Sequence, residues 1–438
     1  MSIAHPASVY LYRRQHLLQQ VGDGVVVLAT APERQRNADA HYPYRFDSNF
    51  YYLTGFTEPE AVVVLDGRTG KSILFCRSKH EEREIWDGFR YGPAAAAEEF
   101  AFDEAHPIEE LANQMPTYLA DRPAIYYPLG QCASFDRQVL DWLDQVRSKA
   151  RLGIQAPSQL HDLQPLLAEM RLFKDEHERT LLRQAARISA QAHRLAMQAS
   201  RPGRYEYEIE AVLLHHFVAS GARAPAYESI VASGKNACVL HYVSNRDRLR
   251  DGELLLIDAG CEYHGYAGDI TRTFPINGRF TPAQRAVYDI VLASQQAAIA
   301  ACQVGASWDT PANAALTILV QGLIDLGLLQ GSVDGNIESE SYKRFYMHRI
   351  GHWLGLDVHD VGAYKQQGVW RPLQAGMVTT IEPGLYIRAG DGVPTEFANI
   401  GIRIEDDVLI TEQGHEVLTA EVPTDPVAIE ALMATTKG

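Results

Sequence analysis

Cysteine is scarce in this chain. Cys76, Cys132, Cys238, Cys261 and Cys302 are scattered, and the nearest two stand 23 positions apart. There is no CxxC pair, which removes a zinc–cysteine site. An odd, dispersed set fits reduced thiols in a cytoplasmic protein better than a disulfide framework. Long apolar runs are missing too. Nothing approaches the roughly 18 apolar residues of a membrane helix, and the opening MSIAHPASVYLYRRQHLLQQ lacks the apolar core of a signal peptide. Positive charge is the minority, with 40 Lys and Arg against 55 Asp and Glu, a net −15. Such a surface repels nucleic-acid phosphates and anionic membranes, so neither is expected as a partner. No low-complexity segment or short-period repeat interrupts the chain.

What is present is an ordinary globular composition over 438 residues, enough for two or three domains. A chain of this length buries large cores and needs no metal in order to fold. Any metal it binds is therefore there for chemistry. The first part alternates apolar strand-like runs (Gly24–Thr30, Ala61–Leu65, Ser72–Cys76, Ala124–Pro128) with helical spacing over Ile108–Leu119 and Phe135–Val146. This predicts an α/β domain over residues 1–172. A long helical pattern from Asp175 to about Ser200 then stops at Arg201-Pro202-Gly203 and opens a second domain, 173–438. Further helices are predicted over Tyr207–Ser220, Pro282–Cys302 and Trp308–Leu326. Strands are predicted over Glu253–Cys261, Tyr263–Pro275, Met377–Glu382 and Gly401–Thr411.

The chemistry concentrates in these strands. Asp258 ends the apolar run Leu254–Ile257, a costly place for a carboxylate unless it is paired or bound to a cation. Asp269 lies eleven residues on, and a hairpin would bring the two together, with Gly265 and Gly268 leaving room. Two turn aspartates are the plainer reading of that pair. Glu382 closes the apolar run of TTIEPG. In GIRIEDD, alternation puts Arg403 and Glu405 on one face, either as an ordinary surface pair or facing a site. His348, His352 and His359 crowd into YMHRIGHWLGLDVHDVG, and His241 lies in VLHYVSN. The HxxxH spacing lacks the Glu that a zincin helix needs directly after the first His. Arg349 stands there, and Gly351 weakens a helix. Four carboxylates in one cavity cannot all stay ionised unaided. Two divalent cations balance them, and His352 completes an oxygen-rich set suited to Mn, with Co, Fe or Zn admitted by the imidazole. Such a pair of ions acidifies a bridging water into a nucleophile.

The segments LHYVSN, LIDAGCEYHGYAGDITRTFP, HWLGLDVHDVG, TIEPGLYI and GIRIEDD resemble those of the pita-bread metallopeptidases, and most of all bacterial aminopeptidase P, with the prolidases next. RFDSNFYYLTGFTEPEA and EREIWDGFR resemble the N-terminal domain of the same enzymes, so the likeness runs through the whole chain. It implies an α/β N-terminal domain followed by an α+β pita-bread catalytic domain. It also implies two divalent ions, usually Mn, on Asp258, Asp269, His352, Glu382 and Glu405, with Asp269 and Glu405 bridging. His241, His348 and His359 would line the substrate pocket, Arg403 would steady Glu405, and Tyr386 would join the lining. Trp86 resembles the tryptophan that reaches a neighbouring subunit's proline pocket, which implies a homotetramer. The substrates implied are peptides with proline at the second position, cut at the Xaa-Pro bond by a hydroxide bridging the ions. A prolidase restricted to dipeptides and a metal-free peptide-binding module on the same fold are the alternatives. Two stretches depart from the relatives. Arg349 follows His348 where a small residue is usual, and either crowds the pocket or points outward. Lys365–Leu373 matches poorly, leaving Arg371 as a substitute contact for longer peptides.

Overall fold

The structure, a computed structural model, describes residues 7–435. It divides into two compact units between Met170 and Arg171, two positions before the expected break and inside the helix Gln164–Leu172.

The first unit is built on a six-stranded sheet. Its strands are β1 (Val25–Ala29), β2 (Val62–Asp66), β3 (Lys71–Cys76), β4 (Glu104–Pro107), β5 (Ala124–Tyr127) and β6 (Gln159–Asp162), in the order β4-β3-β2-β1-β5-β6. β1, β2 and β3 pair antiparallel and the other neighbours pair parallel. Valines of β1 and β2 pack with Ile73, Phe75, Met115, Leu119, Val139, Trp142 and Leu143 in one core. The last three lie on helix Ala133–Arg147, where Val139, Trp142, Leu143 and Val146 follow the helical spacing that makes one buried face. The sequence signalled four of the six strands. The two missed, EAHP and QLHD, are outer strands with no apolar run of their own.

The second unit begins with helix Glu176–Ala199, whose first turn is closed by a capping box between Asp175 and Glu178. Helices Glu206–Ala219, Pro282–Ala300 and Thr310–Asp325 follow. One antiparallel sheet holds β7 (Ile230–Ser233), β8 (Leu254–Asp258) and β9 (Thr271–Pro275) in that order. The expected strand Glu253–Cys261 stops at Asp258, and Cys261–Tyr263 pairs elsewhere. The expected strand Gly401–Thr411 also divides. β10 (Val378–Ile381) pairs with β13 (Asp406–Thr411), while β11 (Gly384–Ile387) pairs with β12 (Ile400–Arg403). This ribbon therefore breaks at Glu382-Pro383 on one side and Ile404-Glu405 on the other. Proline has no N–H to offer a ladder, and Glu405 turns its own N–H to the Thr271 carbonyl, 3.0 Å away. Both glutamates are thus delivered at a corner, beside the start of β9.

The histidine-rich segment is not helical. It runs beside β10, with the Thr380 N–H donating to the His352 carbonyl (2.9 Å) and the Glu382 N–H to that of Ile350 (2.8 Å). Gly351 is there for close approach: a Cβ would lie 1.9 Å from the Thr380 oxygen. Gly260, which carried no signal in the sequence, is tighter still, since its Cβ would stand 1.7 Å from the Gly268 oxygen. Gly265 by contrast occupies a turn at φ +84°. Gly260→Ala is expected to cost about 3 kcal/mol by overpacking backbone that has nowhere to move, and Gly265→Ala about 1 kcal/mol by backbone strain. Urea unfolding of the two variants checks the order, and an equal or reversed cost would show that the Gly260 approach is not a constraint.

Candidate metal centre

Asp258 leaves the end of β8 and Asp269 precedes β9, so the paired strands bring both to one place. Tyr227 joins them, its hydroxyl 2.6 Å from Asp258 Oδ1 and 2.5 Å from Asp269 Oδ1. One hydroxyl carries one proton, so it donates to only one of them. The second contact needs a proton on Asp269 or a cation nearby. Burial, with the Asp258 charge adding to it and His352 opposing, accordingly raises the Asp269 carboxyl.

His352 Nε2 lies 3.4 Å from Asp269 Oδ2 and 3.8 Å from Glu382 Oε1. Its Nδ1 donates to the Trp353 carbonyl at 2.9 Å, which leaves Nε2 as the atom facing the carboxylates. Burial alone would lower His352, but the hydrogen bond and charge of Asp269 outweigh it and hold the imidazole up at about 9. Glu405 accepts from Thr271 Oγ1 at 2.6 Å. Burial, then the charges of Asp269 and Glu382, push it well above the carboxylate range. Glu382 is pushed up to about 7, chiefly by burial. Among the described residues, Asp269, His352 and Glu405 each offer a ligand atom within 4.8 Å of the others. Asp258 adjoins them through Tyr227, and Glu382 through His352. These buried anions, short of protons and cations, are a donor set that a divalent ion fits.

Arg403 pairs directly with Asp258 Oδ2. It does not touch Glu405 but reaches it through Thr271, whose Oγ1 accepts from Arg403 Nε at 3.1 Å and donates to the glutamate. Its Nη1 donates to the Tyr386 hydroxyl at 3.0 Å, which donates on to His348 Nε2 at 2.8 Å. His348 Nδ1 donates to the Arg349 carbonyl at 2.8 Å. Burial, reinforced by the Arg403 charge, drives His348 down to about 4, so it stays neutral. Tyr386 is fully buried and sits behind His348; it is not in the cavity wall. The cavity itself, about 550 Å³, is lined by the five candidate ligands together with His241, His348, Arg349, His359 and Arg403. His359 meets His352 edge-on, with ring centroids 4.3 Å apart. Burial and the nearby His352 lower it.

One expected substrate contact falls elsewhere. Arg371 is 2% exposed, turned to the Ala363 carbonyl and the Phe173 ring, and takes no part in the cavity lining. Its flanking apolar residues, Trp370 and Leu373, drew it into the core. Trp86 belongs to the first unit, on helix Glu81–Asp87, and is 85% exposed beside Ile85 and Phe89.

Three contributors were missed in the sequence: Tyr227, Thr271 and Asp360. Asp360 binds Lys174 (3.0 Å) and Arg171 (2.5 Å), and Arg171 also holds Asp357 at 2.8 Å. His359 is thereby clamped from both sides. Burial would raise Asp360, but Lys174 and Arg171 hold it below the usual range. Its only sequence signal was its place next to His359.

Comparison with known proteins agrees with this geometry. The pattern of metallopeptidase family M24 matches residues 180–412, and that of the aminopeptidase P N-terminal domain matches residues 10–126. The chain belongs to the M24 metallopeptidases and has their pita-bread catalytic fold behind an α/β N-terminal domain. Within them it is similar to the Xaa-Pro aminopeptidase of Escherichia coli K12, 48% identical over 96% of each chain. It is also similar to the human Xaa-Pro aminopeptidase 3, at 34% identity over 94% of this chain and 81% of that one. Among solved structures, aminopeptidase PepP of Pseudomonas aeruginosa superposes with a TM-score of 0.98 at 48% identity, covering 99% of both chains. A zinc-substituted E. coli aminopeptidase P in complex with product gives 0.96 at 46% identity, again over 99% of both.

Two expectations follow. In protein stripped by a chelator, His352 sits at about 9 against an ordinary 6.5, so its contribution is complete below the lower value and lost as pH rises through the higher. Glu382, at about 7 against 4.5, keeps its proton longer in the folded chain, so its contribution also declines with rising pH. The chelated protein should therefore melt lower at about pH 9 than at about pH 6, and an added divalent ion, replacing those protons, should restore more at the higher pH. A melting difference that stays constant over this range would contradict the charge assignment. Separately, Asp360→Ala removes the buried anion that Lys174 faces, leaves Arg171 with Asp357, and should cost about 3–5 kcal/mol, whereas Asp357→Ala, at a half-exposed carboxylate, should cost under about 1 kcal/mol. Equal costs in urea unfolding would refute the clamp.

Proposed function

We propose that the chain hydrolyses the first peptide bond of substrates with proline at the second position, using two divalent ions held by Asp258, Asp269, His352, Glu382 and Glu405. The observation that carries this is the buried cluster of Asp269, His352 and Glu405 at the end of a cavity that also presents His241 and His359. Asp269, Glu405 and His352 would hold the ions at the centre of the cluster, with Asp258 and Glu382 completing the set. Manganese suits the oxygen-rich set, with cobalt or zinc admitted by the imidazole. When bound, the ions supply Lewis acidity and acidify a water to a nucleophile at neutral pH.

The side chains do the rest. Glu382, in the cavity beside His352, passes a proton from the attacking water to the leaving proline nitrogen. His359, clamped through Asp357 and Asp360, donates to the carbonyl oxygen as negative charge develops there. His241 steadies the tetrahedral species from the same cavity. His348, kept neutral and oriented by Tyr386, lines the pocket and transfers no proton. Arg403 holds Asp258 and, through Thr271, Glu405. Proline is accepted because its amide has no N–H to satisfy. A homotetramer fits the exposure of Trp86, and a cytoplasmic setting fits five unpaired cysteines, four of them buried.

The test is hydrolysis of Xaa-Pro and Xaa-Pro-Yaa peptides after chelation, with Mn, Co or Zn restored and bound metal measured by elemental analysis. Asp269→Ala and His352→Ala should lose metal and hydrolysis together, and His359→Ala should retain metal while kcat falls about 100- to 1000-fold. Cleavage of dipeptides alone would make the chain a prolidase, and hydrolysis indifferent to chelation would sink the metal reading.

A further inference from the structure

Arg349 follows His348, and the structure shows where its side chain goes. It is exposed and lines the cavity of the metal centre. It also lines a second cavity of about 450 Å³, walled by Trp308, Tyr346, Met347 and Trp370, and the two cavities share His348, Arg349 and Gly351. Apart from the candidate ligand His352, the cationic side chains lining the metal-centre cavity are, among the described residues, Arg349 and Arg403. Arg403 is committed to Asp258. The Arg349 guanidinium has no hydrogen-bond or ion-pair partner among the described residues.

We infer that Arg349 is a specificity-determining residue that binds the free C-terminal carboxylate of peptides extending one residue or more beyond the proline, with the downstream side chain lying against the aromatic wall of the second cavity. The inference rests on the proposed aminopeptidase reading. A peptide that extends past the proline ends in a carboxylate, and the cavity wall presents to it a guanidinium with no partner among the described residues. A guanidinium also matches a carboxylate in shape, through two parallel N–H donors, and lysine cannot copy that. Because the group is exposed, the interaction is modest and screened by salt.

The holoenzyme is assayed on an Xaa-Pro-Yaa tripeptide and on the same tripeptide with its C-terminus amidated. The free acid is expected to be favoured about three- to tenfold in kcat/KM, carried by KM, with the advantage shrinking as ionic strength rises. Arg349→Gln should bring the acid-to-amide ratio close to one, and Arg349→Lys should restore it only in part. The ratio is internal to each variant, so partial loss of folded protein does not alter it, and the wild-type comparison needs no variant at all. Equal cleavage of acid and amide by the wild type, or an unchanged ratio in Arg349→Gln, overturns this role for Arg349. Failure of the wild type to cleave either tripeptide overturns the aminopeptidase reading itself, and this inference with it.

Discussion

Mutual repulsion among buried carboxylates governs the second unit. Asp258, Asp269 and Glu405 are each less than a tenth exposed, Glu382 adjoins them, and like charges at such distances cannot all ionise without compensation. The chain supplies part of it. Arg403 answers Asp258, the Tyr227 proton serves Asp258 or Asp269, and His352 faces Asp269 and Glu382. What those groups leave uncompensated explains why Asp269, Glu382 and Glu405 are all raised rather than lowered. Divalent cations relieve this far better than further side chains, because each brings two charges and needs no stem.

The corner in the β10–β13 ribbon is how the fold presents such a cluster. A regular strand would spread Glu382 and Glu405 along a ladder and occupy their backbone groups. Breaking the ribbon at both residues lets β11 and β12 continue as a separate pair while the two carboxylates turn toward β9. Arg403 and Glu405 remain on one side, as alternation requires, and Thr271 of β9 links them. Gly260 and Gly351 allow the neighbouring backbones to close to distances at which a Cβ would collide. Metal chemistry and sheet geometry are therefore one problem here.

This division also explains what could be read from the chain. Apolar runs such as VVVL and LLLI report a strand wherever it lies, so β1, β2, β3 and β8 were visible. EAHP and QLHD become strands only because a neighbour's ladder reaches them. GIRIEDDVLIT alternates without interruption, so it reads as one strand, and the change of partner at Glu405 lies in the register with Pro383 and Thr271. The carboxylates and histidines were legible because a charged group ending an apolar run is costly. Tyr227 and Thr271 were not, since a tyrosine or threonine near a strand is commonplace and only the oxygens opposite them reveal the role. Arg371 failed for the converse reason: the resemblance suggested a substrate contact in its stretch, but Trp370 and Leu373 carried it into a core.

Arg349 shows how a pocket changes without disturbing the chemistry beside it. His348 is fixed by two hydrogen bonds, one from Tyr386 to Nε2 and one from Nδ1 to the carbonyl of residue 349. The second uses only backbone, so the tautomer and orientation of His348 do not depend on the side chain at 349. The relay from Arg403 through Tyr386 therefore stays intact whether that side chain is small or a guanidinium. A side chain attached at that point enters the wall between the two cavities and meets substrate, not ligands. Position 349 is thus structurally coupled to the site through its main chain and free to vary through its side chain, which is what a determinant of substrate preference requires.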